Sequence, residues 1–473
     1  MLVSALETHG LEPVPEQERT ARTRSLFPTW VAANISVLLL TMGAGLAVSY
    51  GLNFWQVLTV GVTAPAVSYG LVGLISIAGR RGGAPGTALS RAVFGQRGNL
   101  LPGALIWVAR WGWETINAVT GAYALLTVLN ILFGVHGGTA LIVVTLLFFV
   151  LATFAISGLG IGVLQRCTKG AAWLFAAFSV LVLVRLLVVA DWGEVFGRAA
   201  GPTSAMITGI GLIAAGGISW VPSSPDFTRY LPGTASSAAI VRNTVGGAGV
   251  VVLPMLLMGT VMASATPDLA RAPDPVSFLG EILPLWLAVP YLLIALVGTL
   301  LINSMSMYSA GFTAQALGFR VPRHWAVSVN ALISLVLGGI LMLAATSFLG
   351  TFVAFLSLLA VAFSAWAGVF GADMLRRTSY DGEALLDTTP AGAYWYRHGF
   401  GTAAVTAWAA GLGTGLLFTA SDWFTGPFAA DNPVGEYGLG WAATIAVSGL
   451  LYAVLPKPPV VEPRYGDPAA MAI

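Results

Sequence analysis

"ITGIGLIAAGGISWVPSSPDFTRYLP" runs from residue 207 to residue 232. A mostly apolar stretch leads into Gly216 and Gly217, then into Trp220, Pro222, Pro225, Asp226 and Arg229. A hydrophobic helix with so many breakers, closed by an acid and a base, has a different meaning in water and in lipid. Inside a bilayer every backbone group needs an internal partner, and broken backbone is tolerated only where it is buried in protein or lines a cavity.

Composition settles the solvent. The chain has 473 residues, 57% hydrophobic and 9% charged, against about 25% charged in a soluble domain. Its apolar runs recur, many about 20 residues long, the length of a helix that crosses a bilayer. They do not alternate, which excludes a membrane β-barrel. The expectation is an all-α polytopic membrane protein. The single Cys167 rules out an intrachain disulfide and a multi-cysteine metal site, and His9, His136, His324 and His398 are too scattered for a local metal motif. The polar segment 1–28 lacks the basic-then-apolar order of a cleaved leader and reads as a cytoplasmic tail.

Twelve spans are expected, at 29–50, 55–78, 99–132, 139–160, 170–190, 204–222, 239–264, 284–314, 324–345, 347–374, 401–420 and 437–456, followed by a tail at 457–473. Basic residues orient them. One alternate set of loops and tails holds nearly all of the 22 Lys and Arg. The opposite set holds Arg198 and Arg271, while Arg110 and Arg185 fall within spans. Both termini are therefore expected in the cytoplasm, and the protein in the plasma or inner membrane. Arg185 is close enough to a span end to snorkel outward and is assigned no role.

The first and sixth spans carry glycines at corresponding places: "TMGAG" at 41–45, with Gly43 and Gly45, and Gly216 and Gly217 in the sixth. Any one such pair also serves close helix packing. The matched placement favours two broken helices, each opening a five-helix unit, 29–190 and 204–374, the second an inverted copy of the first, with 401–456 added. Transporters of that design bind substrate and cation at the breaks near the bilayer midplane.

"LIWVARWGWETINAVTG" at 105–121 places Arg110, Trp113, Glu114 and Asn117 on one helical face. An Arg at the bilayer centre costs roughly 2.5–3.5 kcal/mol on insertion scales, so this face points into the bundle. Arg110 and Glu114 are four apart and can pair, in the weaker base-before-acid order. Trp113 offers a flat π-face, and Asn117 both donates and accepts. The set suits a planar heterocycle; a polar lock between helices is the bland alternative. Trp111, about 100° away, reads as a packing or lipid-facing residue.

"GRRGGAPGTALSRAVFGQRGNLLPG" (79–103), "GW" (112–113), "PDFTRYLP" (225–232), "NSMSMYSAGFTAQALG" (303–318) and Asp373 in "GADMLRR" together resemble the nucleobase–cation symporters, in the purine–cytosine permease branch. The resemblance spans essentially the whole chain. It implies the LeuT-like five-plus-five inverted-repeat fold with two extra helices, and base uptake coupled to Na⁺ or H⁺. It also implies a planar substrate stacked between Trp113 and an aromatic of the sixth span, whose position falls here on Gly217 with Trp220 one turn away. Arg110 stands where the family often has Gln. The family's paired Asn of the eighth span appear as Met305 and Ser306, with Asn303 nearby. These departures imply an altered pocket, and a guanidinium suits an acidic or carbonyl-rich ring. For the cation, Asn34 and Leu38 match the carbonyl positions and Thr299 is the nearest hydroxyl, beside Leu300 and Leu301. A proton carried by Glu114 is the other option.

In this frame Gly216 and Gly217 break the sixth helix at the substrate, and Ser219 and Trp220 line or flank the break. Pro222 and Pro225 lead the chain out, Asp226 caps the next turn, and Arg229 fits the basic side. Asp226 and Arg229 then form either a solvated loop or a gate. The expected function is a symporter for a nucleobase or related heterocycle. No cofactor beyond the coupling ion is expected, and no partner beyond the substrate and membrane lipid: no nucleic acid and no obligatory protein. A transporter for amino acids or a vitamin is the alternative. A membrane enzyme would need a catalytic cluster, and a sensor a sizeable soluble domain.

Overall fold

The computed structural model describes residues 9–460 except 136, 159–160, 271, 273, 320–322 and 345–346. The expectations for His136, Arg271, Arg320 and Arg464 lie outside the described residues, as do the side chains of Arg166, Lys169 and Arg323. Among the described residues the chain is helical. α1 (Leu26–Ala32) and α2 (Val37–Val48) precede α3 (Phe54–Gly82), the short α4 (Gly86–Leu89) and α5 (Arg91–Phe94), and the long α6 (Leu100–Phe133). Next come α7 (Thr139–Gly158), α8 (Ile161–Val189), α9 (Trp192–Gly197) and α10 (Thr203–Ile218), which passes into a 3-10 segment at Val221–Phe227. α11 (Ser237–Ala265), α12 (Pro275–Ile282), α13 (Leu285–Ala316), α14 (Arg323–Ala344) and α15 (Phe348–Met374) follow. The chain ends with α16 (Gly382–Leu386), α17 (Thr402–Leu417), α18 (Pro433–Glu436) and α19 (Gly440–Val454). Among the described residues seven helices are long and apolar enough to cross a membrane, or nine if each bent pair is one span. Three shorter apolar helices lie at Trp173–Val189, Thr402–Leu417 and Gly440–Val454.

Both expected breaks exist, but the glycines do not make them. The first span bends by 66° between α1 and α2. Ser36 there is extended, and its hydroxyl accepts from the Leu38 N–H. An N-cap serine in an apolar run is thus what starts a second helix. Gly43 and Gly45 lie inside the continuous α2. A Cβ on Gly43 would collide with the Leu256 backbone of α11, and one on Gly259 with the Leu40 carbonyl of α2. Close helix packing is therefore the role of Gly43.

The sixth span bends by 40° after Ile218. Gly216 and Gly217 are still helical. Pro222 has no N–H to donate back to Ile218, so the α-helix cannot continue and the chain tightens into the 3-10 segment. A Cβ on Gly217 would meet Ser68 and Tyr69 of α3, whereas one on Gly216 would meet nothing within 4 Å.

The two most distinctive sequence stretches pack on each other. Gly79 and Gly86 lie against the Pro225 and Pro222 carbonyls. The Gly86 N–H donates to Asp226 at 2.8 Å, and Thr228 donates to the Ser76 carbonyl at 2.6 Å. Asp226 therefore caps α4, not the turn after itself. Its other oxygen accepts from Ser309 of α13 at 2.5 Å. Asp226 and Arg229 are 2% and 0% exposed, which removes the solvated-loop alternative. Arg229 lies over Phe312 and donates to the carbonyls of His9 and Gly10, so the N-terminal segment folds across this end of the bundle.

Many described basic side chains gather at that same end. Arg19 reaches the Arg80 carbonyl, Arg81 the carbonyls of Met374 and Arg377, and Arg376 that of Pro458. Arg91 bonds the carbonyls of Leu385 and Ala316, and burial pushes its guanidinium down to about 10. Arg198 binds the Ala47 carbonyl at the opposite end.

Candidate substrate site

The two breaks face each other across a cavity of about 80 Å³. Its wall takes Asn34 and Leu38 from the first break, Gly216, Gly217 and Trp220 from the sixth span, and Ser306 from α13. α6 adds Arg110, Trp113 and Asn117, the face expected from helical geometry. The volume is below the roughly 300–1,000 Å³ of pockets for drug-sized ligands, so a base-sized ring requires the walls to part.

Arg110 is the joint between α6 and the sixth-span break. It is 1% exposed and donates to the Ser219 carbonyl at 3.1 Å and to the Ser223 hydroxyl. The Ser219 carbonyl lies at the C-terminal, negative end of α10, where a cation is favoured. The guanidinium also lies 5.1 Å over the Trp220 ring. The expected Arg110–Glu114 ion pair does not form among the described residues. Arg110 satisfies a broken helix end instead.

Aromatic side chains fix the rest of the wall. Trp113 meets Phe352 and Phe355 of α15 edge-on, each at 5.8 Å. Trp220 meets Trp30 edge-on at 5.9 Å, and Trp30 in turn meets Tyr69 at 5.6 Å. Tyr69 donates to the Asn34 Oδ1 at 2.7 Å, and the Asn34 amide donates to the Trp30 carbonyl. Three buried donors of wall residues, Arg110 Nε, Trp113 Nε1 and Asn117 Nδ2, have no partner among the described residues. A buried polar group left unpaired costs free energy.

Four expected site residues lie off the cavity wall. Ser219 contributes its carbonyl to Arg110, and its hydroxyl turns back to Gly216. Asn303 faces α7, 3.5 Å from Thr153. Thr299 donates to the Ala295 and Leu296 carbonyls of its own helix. It still flanks the first break, because its neighbour Gly298 packs against Ile35. Glu114 lies behind the wall, fully buried between α6, α13 and α14. Its Oε1 accepts from Asn330 at 3.2 Å and Ser306 at 3.5 Å. Trp111, expected to pack or face lipid, donates to the Asn330 Oδ1 at 3.1 Å.

Sequence reasoning missed Phe352, Tyr69 and Asn330. Asn330 carried a signal, a lone amide in an apolar span, which normally faces the bundle interior. Nothing distinguished Phe352 or Tyr69 from other aromatics.

A second cavity, of about 420 Å³, lies toward the end opposite the arginines, between α10, α15, α19 and the segment 418–422 that follows α17. Leu212 lines both cavities.

With this geometry in place, likeness to known proteins is informative. Residues 13–440 match the family described as "Permease for cytosine/purines, uracil, thiamine, allantoin". The chain is 24% identical over 477 residues to the "Putative purine-cytosine permease YxlA" of Bacillus subtilis (strain 168), covering 96% of each. It is 26% identical over 278 residues to the "Purine-cytosine permease FCY21" of Saccharomyces cerevisiae, 55% of this chain and 48% of that protein. Its backbone superposes on Mhp1, a nucleobase-cation-symport-1 family transporter, in a closed conformation with bromovinylhydantoin bound, with a TM-score of 0.76 at 23% identity and 94% coverage of each chain. The inward-facing conformation of Mhp1 gives 0.71 at 21% identity, again covering 94% of each chain.

Proposed function

The chain belongs to the family of permeases for cytosine and purines, the nucleobase–cation symporters, and on that premise we propose that it imports a planar heterocycle together with a cation by alternating access. In this reading twelve segments cross the plasma or inner membrane, and both termini face the cytoplasm with the arginine-rich end. Residues 29–190 and 204–374 form the two inverted units around the cavity.

The observation that carries the reading is the cavity wall. One aromatic side chain, Trp113, stands beside the unpartnered Asn117 amide between two broken helices. A nucleobase or hydantoin-like ring presents a π-face to Trp113 and a carbonyl or ring-nitrogen acceptor to the Asn117 amide. Arg110 Nη2 is already committed to Ser219 and Ser223. The carbonyl-rich substrate is thus held through Asn117 and Trp113, with Arg110 supplying positive potential and not a free fork.

The test is uptake into proteoliposomes of labelled cytosine, adenine, uracil, thiamine and allantoin, with Na⁺ and pH gradients imposed separately. Accumulation of at least one compound above that in protein-free liposomes is expected. No accumulation of any compound under either gradient overturns the reading.

A further inference from the structure

Within that transport reading, we propose that Glu114 is the site that carries the coupling proton, and that Ser306 links its occupancy to the substrate cavity. Glu114 is a carboxyl in the middle of a membrane-spanning helix, 0% exposed. Its Oε1 takes the donors of Asn330 and Ser306, while its Oε2 has no partner among the described residues. An ionisable group kept inside a membrane bundle without a countercharge in contact is costly, and such groups mark proton relays.

The surroundings leave this carboxyl as the candidate. Arg110 is its only charged neighbour on α6, one turn away and turned to Ser219; Asp226 lies beyond Arg110. The helices packed around Glu114 add few ionisable groups. α7 carries none; α13 has only Tyr291 and Tyr308; α14 has only Arg323 and His324, in its first turn; and α15 has only Asp373, near its last residue. The sodium option is poorly supplied: Thr299, beside Leu300 and Leu301, donates to the Ala295 and Leu296 carbonyls of its own helix, and the Leu38 carbonyl already accepts from Thr41.

The link to substrate is Ser306. It lines the cavity, and its hydroxyl points at Glu114. With Glu114 ionised, the carboxylate draws the Ser306 and Asn330 donors to itself. When one proton binds at Oε2, that attraction weakens and the Ser306 hydroxyl can donate into the cavity. The proton enters with the substrate from the outer side and leaves on the inner side, restoring the carboxylate. A neutral substrate then moves with one net positive charge.

Wild-type proteoliposomes carrying pyranine in the lumen, free of Na⁺ and with the potential clamped, are given the same five compounds under an inward proton gradient. The expected result is lumenal acidification on substrate addition and accumulation of about tenfold per pH unit, the factor one coupled proton supplies. Glu114→Gln should lose both yet still exchange internal unlabelled for external labelled compound. Accumulation that requires Na⁺, or Glu114→Gln that still accumulates under the proton gradient, overturns the proposal and leaves the transport reading intact. No transport of any compound overturns both. If Glu114→Gln does not reconstitute, Asn330→Ala decides. It removes a donor without touching the carboxyl, so the pH profile of uptake must shift, and an unchanged profile refutes the role of Glu114.

Discussion

Arg110 lies 5.1 Å above the ring of Trp220, tying the third span to the break in the sixth. The same guanidinium bonds the Ser219 carbonyl and the Ser223 hydroxyl on either side of that ring. A residue expected to meet substrate directly is thus also the brace of the half-helix that meets substrate. Both bonds come from Nη2, so Arg110→Lys keeps the charge but loses the planar guanidinium that lies over Trp220 and the geometry that reaches both serines. It should weaken heterocycle binding by about tenfold or more, the scale of losing one charge-assisted bond of about 1.5–3 kcal/mol. Calorimetric titration of purified protein measures this. Binding equal to wild type would show that charge alone suffices.

Trp113 is the flat surface on the opposite wall. Its ring packs at steep angles against Phe352 and Phe355 and lines the cavity. Base–aromatic stacking is worth about 1–3 kcal/mol by alanine substitution. Trp113→Ala should therefore lower affinity by roughly 5–150-fold. Trp113→Phe should recover part of the loss. Equal affinities for all three proteins, read by ligand-induced thermal shift, would exclude stacking at this position.

The glycines allow a paired test of packing against function. Gly43→Ala and Gly86→Ala place a Cβ against backbone, at Leu256 and Pro222. Each should cost about 1–3 kcal/mol and lower the melting temperature. Gly45→Ala and Gly216→Ala meet nothing within 4 Å and should leave it unchanged. Gly216→Ala should nevertheless weaken ligand binding, because that position faces the cavity. A stable Gly43→Ala with wild-type melting would mean that α2 and α11 can separate freely.

These glycines also mark how far the sequence could be read. Apolar run length gave the helices, because a bilayer demands internally bonded spans of nearly fixed length. The polar face of α6 was legible because 100° per residue puts Arg110, Trp113 and Asn117 together, and they do share the cavity. The breaks were legible as to span but not position. Glycine was taken as the breaker, whereas Ser36 capping and the missing N–H of Pro222 interrupt the ladders. Contacts between distant spans were not legible. Nothing local says that Glu114 meets Asn330, 216 residues away, or that Asp226 meets Gly86, 140 residues away. Such pairings are set by helix packing and not by sequence period.

Asp373 tests the arginine-rich end. It is 0% exposed and accepts from Arg377 Nε at 2.7 Å and from the Tyr452 hydroxyl at 2.6 Å, joining α15 to α19. Arg377 goes on to the Ala92 carbonyl beside α5. Without Arg377, Asp373 keeps only the longer 3.8 Å approach of Arg376, and losing the close partner of a buried pair costs up to about 3–5 kcal/mol. Arg377→Ala should thus be far less stable than wild type in detergent. Tyr452→Phe, which loses one bond to a charged group, should lose about 1.5–3 kcal/mol. Equal melting temperatures for both variants and wild type would show that the network is slack.

Leu212 separates the central cavity from the larger one that opens away from the arginines, and its side chain faces both. In the orientation proposed above, that larger space would be the outer approach to the site, with Leu212 between it and the central cavity. Leu212→Ala removes that bulk and should let water-borne reagents reach the centre. In a background with Cys167→Ser, Asn117→Cys should react with a membrane-impermeant thiol reagent applied from outside. The reaction should run several-fold faster when Leu212→Ala is added, roughly the gain from lowering a barrier by 1 kcal/mol. Saturating ligand should slow it, since Asn117 lies on the cavity wall. An unchanged rate would place the outer barrier elsewhere, with Phe352 and Leu356 of α15 the next side chains to truncate.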